Sequence, residues 1–425
     1  MKYASILLAV SCLLSVVHAQ WLETTIQLPD SAEPYALCYN PSNNKVYSAN
    51  QLTNSVSVID GATNAVLAHV AVDSFPFALC YDSKDNLIYC ANRRSGTLTA
   101  IDGATDIVRA TVGVGSEPVA LCYDPDDNLV FCANRGSDNV SVVDGATCQV
   151  IATTGTAAAP SALCYAPAWH RVYCVAFDAD TVNVIDAPTG QLVAAVPVGV
   201  SPGALCYDPQ NGHVICAHNS SSTAVIIDCA TNGVVATLDV GSVSADLCFN
   251  ALSGRVYCSG GALTVIDGDT VVATVSTGAV DVLCCDPENN KVYCTSFLSG
   301  KVVVVDCAAD SVVKTLTVGL GPRGLAWNPA QNRVYVANSY DWTISVLRDS
   351  GGGVEEMANG AWRMAQSRPT VLSRVSGVGR LASSVVFDAM GRRVQNPKPG
   401  VYFLREEPQA PSLKPQAVTK VVILE

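Results

Sequence analysis

Cysteine is the residue type whose spacing in this chain most invites chemistry. Six times one cysteine follows another by ten residues: Cys80 and Cys90, Cys122 and Cys132, Cys164 and Cys174, Cys206 and Cys216, Cys248 and Cys258, Cys284 and Cys294. If each pair lies on a hairpin with an odd-length loop, the two thiols face one another. Their Cα atoms are then about 4.5–5.5 Å apart, near the lower edge of disulfide geometry. The same spacing suits small buried residues filling a tight space between sheets, a common use of free cysteine. Of the 18 cysteines, Cys12 falls in a leader-like segment, and the remaining seventeen are odd in number. At least one thiol is therefore free or paired with another molecule. Cys148, Cys229, Cys285 and Cys307 fit neither position of the pattern.

Other chemistry is sparse. His69, His170, His213 and His218 show neither H-x-x-x-H nor H-E-x-x-H spacing, and C-x-x-C is absent, so no metal site is expected. Acidic turns such as Asp124-Pro125-Asp126-Asp127-Asn128 gather oxygens that calcium would accept. Asp, Asn and Pro are also what such a turn needs for its own backbone, and other copies lack the charge. There is no G-x-S-x-G, phosphate loop or dinucleotide fingerprint, and nothing implies a cofactor. What varies is a set of loops carrying Arg93 and Arg94, Arg135, Phe177 and Asp178, His218, Phe297, and Tyr340 to Trp342, joined by Arg323. Cationic and aromatic side chains on a concave surface suit an anionic or peptide-like partner. Variable loops are also simply unconstrained ones.

The elements that must position these residues repeat. A Leu-Cys-Tyr-like triplet centres on Cys38, Cys80, Cys122, Cys164, Cys206, Cys248, Cys284 and Ala326, at intervals of 42 residues except one of 36. In the short interval the residues are missing from the connections, where deletions are tolerated. Each copy has four short runs rich in Val, Ile, Tyr and Phe, such as 119–123, 129–133, 139–143 and 149–153, divided by Asp-Pro, Asn and Asp-Gly. Four strands per roughly 40 residues is the signature of a β-propeller. The final copy has three strands, 324–327, 333–337 and 343–347, and the missing fourth matches residues 24–28. An all-β, eight-bladed propeller closed by its N-terminal strand is expected; seven blades would follow from one distorted copy.

Segments such as NPSNNKVYSANQLTNSVSVIDGATNAVLAHVAV, and NPAQNRVYVANSYDWTISVL with Tyr335–Asn338 reading Tyr-Val-Ala-Asn, resemble the YVTN-type β-propeller repeat family over about 325 residues. The resemblance implies the fold and leaves function open. Net charge is −12 with 15% charged residues, which argues against a nucleic-acid surface.

Both ends carry targeting features. Lys2, the apolar run 6–17 and Val17-His18-Ala19 have the order of a secretory signal peptide over 1–19, too short to span a bilayer. After the propeller at 20–348, residues 349–368 read as a linker and 369–425 as a small β-sandwich. Val386–Val394 (with Gly391 and Arg392), then Pro399, Gly400 and Tyr402, then Lys420 near the end, resemble a type IX secretion C-terminal sorting domain. That resemblance implies passage through the periplasm to the cell surface or exterior, with the secretion machinery as a partner. The expected function is a binding scaffold for a protein, peptide or glycan. The alternatives are a lactonase-, lyase- or oxidoreductase-like enzyme with a channel site, and a structural surface-layer component.

Overall fold

The computed structural model describes residues 20–349, together with backbone strands at 355–356, 362–363, 384–387, 400–406 and 420–424. Residues 20–348 form one compact unit of eight four-stranded antiparallel sheets. Blade 3 is representative, with strands Pro118–Asp124, Leu129–Asn134, Asn139–Asp144 and Gln149–Gly155. The first strands of successive blades lie side by side around the ring, and that of blade 8, Pro322–Asn328, adjoins that of blade 1, Pro34–Asn40. Gln20–Gln27 pairs with Thr343–Asp349 as the outer strand of blade 8, so the ring closes as expected.

Burial follows from stacking. Second and third strands have a neighbouring blade on each face, and Leu87–Asn92 and Leu129–Asn134 are buried throughout. Outer strands meet solvent, and Ile107–Gly113 alternates between exposed and half-buried positions. Two repeated polar devices lock this stack. A tyrosine on the second strand reaches across to the next blade: the Tyr47 hydroxyl donates to Asp106 Oδ1 at 2.9 Å, Tyr173 to Asn232 Oδ1 at 3.1 Å, and Tyr335 to Asn64 Oδ1 at 2.7 Å across the closure. A buried asparagine ends the same strand. Asn92 Nδ2 donates to Thr97 and Thr99, and Asn338 Nδ2 to Thr343 and Ser345, pinning the turn into the third strand. Each satisfies donors that would be costly if buried alone.

The expected cross-strand disulfides do not fit the register. Cys80 stands opposite Tyr89, while Cys90 stands opposite Leu79. The same one-residue offset separates Cys122 from Cys132, Cys164 from Cys174, Cys206 from Cys216, Cys248 from Cys258, and Cys284 from Cys294. The reason is the turn: Asp82 pairs with Leu87, leaving four residues between them, so thiols ten apart leave the strands on opposite faces. None of these six pairs is joined by a disulfide. Burial pushes the thiols of Cys38, Cys164, Cys174 and Cys216 up to about 12.

Beyond residue 349, Ser384–Phe387, Gly400–Glu406 and Lys420–Leu424 form one three-stranded antiparallel sheet, and Glu355–Glu356 pairs with Trp362–Arg363. The leader-like segment at 1–19, and Gly391, Arg392 and Pro399 of the sorting-type motif, lie outside the described residues.

Candidate functional site

The connections between second and third strands meet those entering each blade, because they hydrogen-bond to one another. Arg93 N–H donates to the Phe75 carbonyl at 2.9 Å, Arg135 N–H to Glu117 at 2.9 Å, and Ser339 N–H to Gly321 at 3.0 Å. Both kinds of loop therefore share one face of the ring. The position three residues before each anchor belongs to that face as well, and reads Tyr35, Phe77, Val119, Ser161, Gly203, Ala245, Asp281 and Arg323 around the eight blades.

A continuous stack runs along one arc of this ring. Arg323 lies over the ring of Phe297 at 4.3 Å and over that of Tyr35 at 5.2 Å. Tyr35 packs on Phe77 at 4.5 Å, and Arg93 lies over Phe77 at 5.2 Å. Phe297 meets Tyr340 edge-on at 5.3 Å. Blades 7, 8, 1 and 2 thus share one arginine–aromatic surface, while Ser161, Gly203 and Ala245 leave the other arc small. Gly321 permits the closure of Phe297 on Tyr340. It has φ +65°, and a Cβ there would come within 3.0 Å of Tyr340 and 3.2 Å of Phe297. Beside the stack, Arg94 lies over Phe75 at 4.5 Å. Phe75, Arg93, Arg94, Ser116, Glu117 and Ser137 contribute to the walls of an open cavity of about 810 Å³.

The arginines differ in what occupies them. Arg93 is spent on Glu117 at 3.0 Å. Arg94, Arg135 and Arg323 make no ion pair among the described residues, and the Arg323 Nε–H is buried without an acceptor. A guanidinium packed over aromatic rings and making no ion pair keeps donors that suit a carboxylate or another planar anion.

Several expected site residues stand elsewhere. Arg135 lies over Phe177 at 5.8 Å, on blades 3 and 4, and Asp178 is exposed in a short 3-10 turn beside that ring. His218 is a correction. It is 1% exposed, its Nδ1 is 2.8 Å from the Thr223 carbonyl and its Nε2 is 3.0 Å from that of Val198. It occupies the position of the pinning asparagine in blade 5 and does the same work, so no nitrogen faces a ligand. Trp342 adopts φ +55° in the last 2–3 turn, and its carbonyl accepts the Leu28 N–H at 3.1 Å. Its neighbour Tyr340, not Trp342, joins the stack. No hydrogen bond or ion pair joins Arg135, Asp178, His218 and Arg323 among the described residues. Tyr35, Phe75 and Phe77 were not singled out from the sequence; their signal was an aromatic residue flanking the proline that opens the inner strand.

The acidic turns on the remaining connections are occupied by their own backbones. Asp82 accepts the N–H groups of Lys84 and Asp85, and Asp124 those of Asp126 and Asp127.

The YNCE-like β-propeller family matches residues 4–249, more than half of the chain. The chain belongs to that family. No curated protein matches this YNCE-like propeller. Among solved structures it is similar to the hydrazine synthase of Kuenenia stuttgartiensis, at 18% identity and TM-score 0.57, over 77% of this chain and 98% of that one. It is also similar to the dihydro-heme d1 dehydrogenase NirN in complex with DHE, at 16% identity and TM-score 0.60, over 74% and 72%. At such identities the likeness shows the fold alone.

Proposed function

We propose that this propeller is a binding scaffold that captures a carboxylate-bearing, peptide-like partner on the Arg323 arc of its channel mouth. One observation carries the reading: in a chain of net charge −12, Arg323 lies over both Phe297 and Tyr35 with its Nε–H unspent. The rings remove rotamer freedom in advance, which lowers the ordering cost of binding. Arg94 and Phe75 extend the surface over the adjoining cavity.

Binding of the full chain to an array of Asp- and Glu-containing hexapeptides tests this. Wild type binds a subset of acidic peptides, and R323A loses about ten- to a hundredfold in affinity. Wild type that binds acidic peptides no better than their Asn and Gln counterparts sinks the proposal.

Export belongs to the same reading. The leader-like segment 1–19 and the sorting-type motif around Gly391, Arg392, Pro399, Gly400, Tyr402 and Lys420 support delivery to the cell surface. Among the described residues no helix is long and apolar enough to cross a membrane. A chain ended at Arg368 is then retained before the surface. Unchanged surface display of that version rules out the role of the tail.

A further inference from the structure

One position in the ring breaks the repeat. The residue after the anchor of the inner strand is aromatic in seven blades: Tyr39, Tyr81, Tyr123, Tyr165, Tyr207, Phe249 and Trp327. In three of these blades it shares a core with the anchor cysteine of the preceding blade. Tyr81 packs in the cluster of Cys38, Tyr165 in that of Cys122, and Phe249 in that of Cys206. In blade 7 this residue is Cys285, and the anchor it meets is Cys248 of blade 6, within one shared cluster.

The two Sγ atoms lie 2.7 Å apart. Non-bonded heavy atoms settle at about 3.5–4.0 Å, and a covalent S–S bond is about 2.05 Å. The backbones of the two blades therefore hold these sulfurs inside non-bonded contact and near bonding reach. The anchor sulfurs of Cys38, Cys164 and Cys206 turn instead toward the backbone carbonyls of Tyr39, Tyr165 and Tyr207. We propose that Cys248 and Cys285 form a disulfide that staples the inner strand of blade 6 to that of blade 7.

The location fits a need. The one shortened interval of the repeat separates these two blades, and their inner strands, Leu247–Asn250 and Leu283–Asp286, have four residues each, against seven in blades 1 to 5 and 8. This interface also lacks the aromatic side chain that the other blades insert. A covalent link replaces both, closing a loop that the unfolded chain would otherwise leave free.

The chemistry needs an oxidant, taken here to be a disulfide RS–SR of the oxidising compartment that the leader-like segment implies. One protein thiolate attacks a sulfur of RS–SR, forming a mixed disulfide and expelling RS⁻. The second protein thiolate attacks the protein sulfur of that mixed disulfide and expels the other RS⁻. Two protein thiols are oxidised, one RS–SR is reduced to two RSH, and the two protein protons end on the leaving thiolates. Burial and the neighbouring Cys285 thiol hold the Cys248 thiol well above its ordinary range.

The test uses the full chain. Wild type is incubated with oxidised glutathione, unfolded in N-ethylmaleimide, digested without reduction, and read by tandem mass spectrometry. The expected result is a linked pair containing Cys248 and Cys285 that a phosphine separates. C258S and C284S keep the link, whereas C285S frees Cys248 to react with maleimide. Oxidised wild type also melts several degrees above the reduced protein. The proposal is overturned if both residues of wild type carry maleimide, or if Cys248 is linked to any other cysteine. Identical melting of linked and reduced protein overturns the stapling role. The wild-type peptide map stands even if a variant fails to fold.

Discussion

Arg333 on the second strand of blade 8 forks onto Glu23 of the closing N-terminal strand. Its Nε–H donates to Glu23 Oε2 at 2.7 Å, and a second nitrogen reaches Oε1. Arg333 is 5% exposed and also donates to the Gly61 carbonyl of blade 1 at 2.6 Å. One guanidinium thus ties together the two ends of the propeller and its first blade.

Removing Glu23 strands that cation, so E23A should lower unfolding free energy by about 2–4 kcal/mol in urea denaturation. Burial alone would raise the Glu23 carboxyl, but the hydrogen bonds and charge of Arg333, with Arg348, outweigh it and hold it below the ordinary range. A depressed carboxyl stabilises the fold above its unfolded pKa and stops doing so as pH falls through its folded pKa. The gap between wild type and E23Q should therefore be full near neutral pH and narrow in acid.

The tyrosine latch makes a smaller prediction. Tyr47 shares Asp106 with Lys45, whose Nζ lies 2.7 Å from Oδ2. Y47F leaves that ion pair in place and should cost about 1 kcal/mol in thermal or urea unfolding. Phe131 occupies the same position in blade 3 without a hydroxyl, so the blade itself should be unaffected.

His218 should behave as a structural residue. H218A removes partners from the Thr223 and Val198 carbonyls and should destabilise by about 1–3 kcal/mol. H218N restores the side chain used by other blades and should recover most of that loss. Acidic-peptide binding by the folded H218N variant should match wild type; a tenfold loss would return His218 to the site.

Asp246 should give a pH dependence opposite to that of Glu23. Its carboxylate accepts the Leu247 N–H at 2.9 Å and, across the blade interface, the Leu283 N–H at 2.8 Å. Desolvation nevertheless dominates and pushes its pKa up to about 6. A raised carboxyl favours the folded state below its unfolded pKa, and that benefit is lost as pH rises through the folded value. Wild type should lose up to about 3 kcal/mol relative to D246N between about pH 4 and pH 7, read from urea midpoints. A constant difference across that range would show that Asp246 does not titrate there.

What the sequence by itself determined is the architecture of the propeller. The 42-residue period, the four runs per copy, the eight anchors and the complementary ends at residues 24–28 and 343–347 are local patterns repeated along the chain, and repetition makes them readable. The side-chain partnerships were decided only by tertiary structure. A four-residue turn set the strand register and turned Cys80 and Cys90 to opposite faces, which no count of ten residues reveals. Arg323 meets Tyr35, and Cys285 meets Cys248, because separate blades lean on one another; those contacts cross intervals that the repeat spaces but does not orient. His218 looked like a loop residue because its type differs from the asparagine it replaces, and burial assigned it the same task. Periodicity acts along one strand at a time, whereas a binding surface forms only where several blades pack together.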